Sequence, residues 1–157
     1  MSKLVLGLGS NQGNSREILK DAISSLDKKF GPYSEISKLF QSESFGHIPQ
    51  PDYLNLCVVY EVNNKSPHDC LQLCQQTELS LGRVRLEKWG PRTIDIDILF
   101  FDDIVLEDTD LILPHPHIND RSFVVEPLSQ LSIFSNLKLF YHFNDTFTTK
   151  STCIGFL

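Results

Sequence analysis

Trp89-Gly90-Pro91-Arg92-Thr93-Ile94-Asp95-Ile96-Asp97-Ile98-Leu99-Phe100-Phe101 is the stretch on which the fold turns. From Thr93 onward, β-branched Ile94, Ile96 and Ile98 alternate with Thr93, Asp95 and Asp97, which is the period of a strand. Alternate side chains of a strand share a face, so the two carboxylates are expected to stand together, roughly 6.5–7 Å apart. Leu99 and Phe101 continue that face, so the strand is expected to run on into an apolar core. Two neighbouring anions at the mouth of a buried strand repel each other and lose hydration. A divalent cation removes both costs, and Mg²⁺ takes one or two carboxylates while keeping waters and substrate phosphates as its other ligands. Just upstream lie Arg83, Arg85, Lys88 and Arg92, opposed only by Glu87. Cations beside a metal-binding acid pair suit a ligand that is itself polyanionic and metal-bound, such as a nucleoside triphosphate. The plainer reading, an Asp-x-Asp strand end held by salt bridges to those arginines, leaves the Trp-Gly-Pro-Arg lead-in without a purpose.

Composition narrows the class. A chain of 157 residues is expected to form one domain, 1–157, with a core that needs no covalent staples. A net charge of −6 argues against a nucleic-acid surface, which requires a broad positive stripe, whereas the cations here are local. Cys57, Cys70, Cys74 and Cys153 do not read as a disulfide framework. A zinc site from Cys70, Cys74 and His68 is weighed and set aside in favour of small buried thiols on a helix face. Lys3 to Leu8 is too short for the apolar region of a signal peptide, and no apolar run approaches the ~20 residues of a membrane span. The cytoplasm is the expected location.

Working outward from the acid strand, Lys3 to Leu8 reads as a central strand, apolar on both faces. Gly7, Gly9 and Gly13 follow Gly-x-Gly-x-x-x-Gly spacing, which is not the dinucleotide fingerprint, and no alternating β-α series succeeds them. They serve either a sharp strand-to-helix turn or a backbone wall of a ligand pocket. Asn14 or Ser15 caps a helix with Ile18, Leu19, Ala22, Ile23, Leu26 and Phe30 at helical spacing, and Gly31-Pro32 stops it. Ile36 to Gln41 reads as a second strand and Tyr53 to Val62 as a third, separated by a loop over 42–52 that is longer than a hairpin needs. Ser66-Pro67 opens a second helix with Leu71, Cys74, Leu79 and Leu81 as its apolar stripe and Gly82 at its end. The resulting β-α-β-β-α-β order predicts an α+β, ferredoxin-like core with an antiparallel sheet, helices on one face and extra C-terminal elements. A short helix is expected within Asn119 to Leu131. The segment 137–157 is weakly determined, and no chemistry is placed on it.

Five blocks of this sequence together resemble one family. Gly9-Ser10-Asn11, Pro51-Asp52-Tyr53-Leu54-Asn55, Gly82-Arg83-Val84-Arg85, the Trp89 to Asp97 block, and Pro114-His115 through Arg121 and Phe123 occur in the order seen in 6-hydroxymethyl-7,8-dihydropterin pyrophosphokinases (HPPK) of folate biosynthesis. The resemblance covers roughly residues 3 to 130. It implies transfer of the β,γ-diphosphate of ATP to the hydroxymethyl group of 6-hydroxymethyl-7,8-dihydropterin, with release of AMP. It also implies two Mg²⁺ ions on Asp95 and Asp97, and Arg83, Arg85 and Arg92 as further catalytic residues. Gln75, Glu78, Arg85, Lys88, Trp89, Arg92, Ile98, His115 and Arg121 would bind ATP. Ser42, Phe45, Tyr53, Asn55, Trp89 and Phe123 would bind the pterin: Tyr53 and Phe123 sandwich the flat ring, and Asn55 offers both a donor and an acceptor to its edge. Trp89 would sit on a flap closing over the nucleotide. Lys88 stands where the family usually has arginine and cannot form the bidentate phosphate contact. No general base emerges. The expected partners are the two substrates alone, with no nucleic acid and no membrane, and the expected state is a monomer. A catalytically silent binder and a ferredoxin-like interaction module are the competing readings; a chain of this length is either a complete enzyme or a domain naturally fused to a neighbouring folate enzyme.

Overall fold

Strand β1 (Ser2–Ser10) runs through the centre of the sheet and is paired antiparallel along its length to β4 (Tyr53–Val62), from Ser2 opposite Val62 to Ser10 opposite Leu54. The structure, a computed structural model, describes residues 1–43, 49–82 and 93–157. Helix α1 (Ser15–Phe30) and the short strands β2 (Glu35–Ile36) and β3 (Leu39–Ser42) lie between β1 and β4 in the chain. Then come α2 (Pro67–Ser80), β5 (Asp95–Phe101), a small hairpin of β6 (Leu106–Glu107) and β7 (Ile112–Leu113), α3 (Ser122–Ser129), α4 (Ile133–Leu137) and β8 (Ser151–Gly155). The sheet order is β5-β1-β4-β3-β8, with β2 also on β4, and every pairing is antiparallel. This is the α+β, ferredoxin-like arrangement expected from the element order.

The local reasons are those the residues suggest. Asn14 caps α1 by accepting the Glu17 N–H, and Gly31, at φ 87°, ends it with its N–H on the Asp27 carbonyl. Ser66 and Asp69 form a reciprocal capping box at the start of α2, with Pro67 in the first turn. The expected second strand is split in two. Ser37 lies between the halves, and its hydroxyl accepts the Cys57 N–H at 2.9 Å, so a side chain bridges the gap in the ladder.

Helices α1 and α2 cover one face of the sheet, burying Leu19, Ala22, Leu26, Cys70 and Cys74 against Leu4, Leu6, Leu8, Leu56, Val58 and Tyr60. The Tyr60 hydroxyl reaches the Asp27 carboxylate at 2.7 Å; burial, then that bond, holds it protonated. The other face is not left to solvent. The C-terminal elements α3 and α4 pack Val124, Val125, Leu128, Ile133 and Leu137 onto Val5, Cys57, Val59, Leu99 and Phe100.

Three expectations are corrected. Leu79 is 71% exposed, because the buried face of α2 runs through Cys70, Cys74, Thr77 and Glu78 at helical spacing, which turns position 79 outward. Phe101 does not share the face of the aspartates. Leu6 pairs with Ile98 but Val5 with Phe100, so Leu99 is an extra residue, a β-bulge that resets the alternation. Leu99 and Phe100 therefore both pack under α3 and α4, while Phe101 joins the core under α1 and α2. Finally, the segment beyond 137 is ordered by pairing: β8 extends the sheet along β3, with Phe40 opposite Cys153 and Ser42 opposite Ser151. All four cysteines are free thiols; Cys57, Cys70 and Cys74 are buried, and burial pushes the Cys70 thiol up to about 11. Among the described residues, no helix is long and apolar enough to cross a membrane.

Candidate active site

The site begins with two glycines. Across β5-β1-β4, Asp95 pairs with Gly9 and Gly9 with Asn55; one step along, Asp97 pairs with Gly7 and Gly7 with Cys57. All these side-chain positions lie on the face covered by α3. Because β1 carries no side chain at 7 or 9, a cavity of about 90 Å³ opens there. Gly7, Gly9 and Leu99 form its floor, Asp95 and Asp97 one side, Tyr53 and Asn55 the other, and Arg121, Phe123 and Val124 its roof. A Cβ at Gly9 would stand 2.8 Å from Asn55 Oδ1, whereas one at Gly7 would meet the Leu99 side chain at 3.4 Å. Gly7 and Gly9 thus form the pocket wall, and the turn before α1 falls to Gly13, at φ 75°.

Asn55 is almost fully buried and donates from Nδ2 to the equally buried Ser42 hydroxyl at 2.9 Å. That bond leaves Oδ1 as the atom over Gly9. Asn11 is buried too, and its Nδ2 bonds Gln50 Oε1 at 2.8 Å and the Pro51 carbonyl at 3.0 Å, which ties the end of β1 to the approach to Tyr53.

The bulge at Leu99 positions the opposite wall. Its carbonyl accepts the His115 N–H at 3.0 Å and brings the 115–121 loop to the acid pair. Arg121 Nη1 lies 3.7 Å and His115 Nε2 3.9 Å from Asp97 Oδ2. Burial, together with the positive charges of Arg121 and His117, pushes the His115 pKa down to about 4, against the opposing pull of Asp95. Its Nδ1 accepts the His117 N–H at 3.1 Å, so the ring proton sits on Nε2, the nitrogen facing Asp97. The Arg121 guanidinium lies 5.8 Å from the centre of the Phe123 ring.

Of the residues predicted from sequence, the structure gathers Tyr53, Asn55, Asp95, Asp97, Arg121 and Phe123 around one cavity, with Ser42 and His115 in contact behind them. Gln75, Glu78 and Ile98 lie toward α2. Gln75 is exposed on that helix. Glu78 is buried, and its carboxylate accepts the Ile96 N–H at 2.9 Å on the outer edge of β5, between the two aspartates in the chain. The Ile98 side chain is in the core under α1 and α2, on the face away from the acids. Phe45, Arg83, Arg85, Lys88, Trp89 and Arg92 lie outside the described residues. Of the two roles offered for the glycines, Gly7 and Gly9 take the pocket wall and Gly13 the turn; the bonds of Asn11 to Gln50 and Pro51 were not expected from the residues. His68 does not join the cysteines. It stands 3.1 Å from Asp108 and 3.4 Å from Asp110, outside the cavity.

An acid pair, a buried amide and two aromatic rings surround one cavity over a glycine floor. Comparison with known proteins gives this arrangement a family. Residues 5–133 match the model of the 7,8-dihydro-6-hydroxymethylpterin-pyrophosphokinase (HPPK) family. A 2-amino-4-hydroxy-6-hydroxymethyldihydropteridine pyrophosphokinase of Synechocystis is 43% identical over 129 residues, which are 82% of this chain and 65% of that protein. The enzyme of the same name from Bacillus subtilis is 35% identical over 127 residues, 80% of this chain and 75% of that protein. A crystal structure of Plasmodium falciparum HPPK-DHPS superposes with a TM-score of 0.63 over 82% of this chain and 40% of that one; at 18% identity it shows the shared fold. The chain belongs to the HPPK family. That family consists of pyrophosphokinases of folate biosynthesis, and membership implies ATP and the pterin alcohol as co-substrates.

Proposed function

We propose that this chain transfers the β,γ-diphosphate of ATP to the hydroxymethyl group of 6-hydroxymethyl-7,8-dihydropterin and releases AMP. The observation that carries the reading is the strand register: Asp95 and Asp97 face the same cavity as Tyr53, Asn55 and Phe123, across a floor without side chains. A flat ring stacked between Tyr53 and Phe123, with its polar edge on Asn55, would turn its remaining edge toward the carboxylates.

The donor set fits magnesium. Asp95 and Asp97 supply oxygen ligands alone, on one face and open to the cavity, which leaves coordination positions for water and phosphate. Two Mg²⁺ ions are the proposed complement; bound there, they would neutralise the triphosphate and polarise the transferred group. The chain's own residues do the positioning. Arg121 and neutral His115 flank Asp97 and hold its carboxylate at the cavity mouth. Glu78 fixes the backbone of β5 at Ile96, so the aspartates keep their register. Ile98 shares the backbone phase of Ile96, so its amide and carbonyl are offered at the outer edge of the strand for the nucleotide, with Gln75 and Glu78 of α2 as the proposed further contacts. Arg83, Arg85, Lys88 and Arg92 are proposed to neutralise the triphosphate, with Trp89 closing over it and Phe45 contacting the pterin. The attacking atom is the pterin hydroxyl oxygen; it forms a bond to the β-phosphorus as the bond from that phosphorus to the α,β-bridging oxygen breaks. Catalysis of this kind is mostly positioning and charge neutralisation.

The net charge of −6 and the local basic cluster support small anionic substrates over nucleic acid. A single-domain, monomeric, cytoplasmic enzyme is the proposed form. Incubation with ATP, Mg²⁺ and the pterin alcohol, following the nucleotides, tests the reading. AMP formed in step with the pterin diphosphate supports it. ADP would indicate a simple kinase, and nucleotide binding without turnover would indicate a silent binder.

A further inference from the structure

The family match ends at residue 133, yet the segment beyond it bonds to the elements that carry both walls of the cavity. On the roof side, α3 carries Phe123, with Arg121 just before it, but Arg121, its N-cap residue, makes no side-chain cap. The cap comes from the C-terminal segment instead. Thr149 Oγ1 accepts the Ser122 N–H at 3.0 Å and lies 2.9 Å from the Ser122 hydroxyl. Ser122 is 1% exposed and stands between the two cavity residues, so this anchor acts directly beneath them. One turn on, Ser151 Oγ donates to Glu126 Oε2 at 2.6 Å. Upstream, the Asn144 N–H donates to Asn119 Oδ1 at 2.8 Å, and Asn119 Nδ2 donates to the His142 carbonyl at 2.8 Å, which holds the loop between His115 and Arg121. On the opposite wall the same segment becomes β8, whose Ser151 pairs with Ser42, the residue whose hydroxyl holds the Asn55 amide.

We infer that residues 141–155 are a strap that sets the width of the pterin cavity, with Thr149 as its principal positioning residue. This inference rests on the pterin pocket proposed above. The strap joins the helix bearing Phe123 to the strand that orients Asn55; at its other end Tyr141 and Phe143 pack their rings against Phe100 of β5, whereas Thr149 acts only at Ser122 beneath Phe123. Loss of the Thr149 hydroxyl alone leaves the Asn119 and Tyr141 anchors in place, so it should loosen the heterocycle site and spare the nucleotide site.

The test is Thr149→Val, which keeps the shape and removes the hydroxyl, compared with Thr149→Ser, which keeps the hydroxyl. Pterin binding is measured by titration with Mg²⁺ and a non-hydrolysable ATP analogue present, and binding of the analogue is measured separately. Loss of one half-buried hydrogen-bond acceptor, which strands the buried Ser122 N–H, predicts a pterin Kd about three- to tenfold higher in Thr149→Val, with analogue binding unchanged and Thr149→Ser near wild type. The KM for the pterin should rise in parallel while kcat at saturation holds. An unchanged pterin Kd, or equal weakening of both ligands, overturns the inference. If Thr149→Val does not fold, Ser151→Ala, which removes the Glu126 link, is judged by the same criterion. A wild-type chain that binds no pterin defeats the proposed function itself. A wild type that binds pterin no better than Thr149→Val defeats only the strap.

Discussion

The two faces of β1 are built from one alternating sequence and do opposite things. Leu4, Leu6 and Leu8 point toward α1 and α2 and are buried to 2% exposure or less. Val5 begins the other face in the same manner, but Gly7 and Gly9 then withdraw their side chains, and the space becomes the cavity between the acids and the aromatic pair. One face converts buried apolar area into stability. The other forgoes that burial and leaves an open cavity. The comparison teaches that here the pocket is made by subtraction from a core strand, and the sheet beneath supplies the rigidity.

The largest expected effect falls on the cavity face. On the proposed assignment of Asp97 to the metal, Asp97→Ala should lower turnover by orders of magnitude and leave the thermal transition in place, because the carboxylate lies in the cavity and not in the core. Near-wild-type AMP formation in that variant would break the contrast. Leu6→Ala addresses the other face; Leu6 is fully buried, so its truncation should cost about 3 kcal/mol in denaturant unfolding. The folded fraction should still bind pterin with unchanged Kd. Next comes Gly9→Ala. Its Cβ would fall 2.8 Å from Asn55 Oδ1, so the amide must move. Pterin titration should show weakening by about tenfold, roughly 1.4 kcal/mol, while the nucleotide is unaffected. Gly7→Ala, with its 3.4 Å contact to a leucine side chain, should change pterin binding much less, and equal effects at the two positions would contradict the assigned geometry. The smallest effect is Ser66→Ala, far from the cavity, which should cost about 1 kcal/mol of stability through the lost cap and nothing in either ligand's affinity.

Much of this was legible in the residues, and the failures have physical causes. The acid strand, the Tyr53 to Val62 strand, the Asn14 and Ser66 caps and the glycine stops were readable because each depends on local chemistry. Phe101 was misplaced because a β-bulge inserts a residue without a signature in the side chains, and its position is fixed by β1 across the ladder. Leu79 was misplaced because a charged residue, Glu78, holds the buried face of α2 for a bond to Ile96 that only the tertiary fold reveals. Strand β8 was missed because its central residues Thr152, Cys153 and Ile154 are exposed, so no alternation marks it; its pairing to β3 defines it. The same cause hid the strap, whose anchors are single hydroxyls and amides. The site's aromatic and acidic members were readable together through the family resemblance, whereas the choice between turn and pocket wall for the glycines needed the strand register.

The most direct measurement is an anomalous difference map from a crystal grown with Mn²⁺ in place of Mg²⁺, a non-hydrolysable ATP analogue and the pterin alcohol. The account predicts metal peaks at about 2.0–2.2 Å from carboxylate oxygens of Asp95 and Asp97, with the ring between Tyr53 and Phe123. Metal found only elsewhere, for instance at His68, Asp108 and Asp110, with Asp95 and Asp97 bound to protein groups alone, would contradict it.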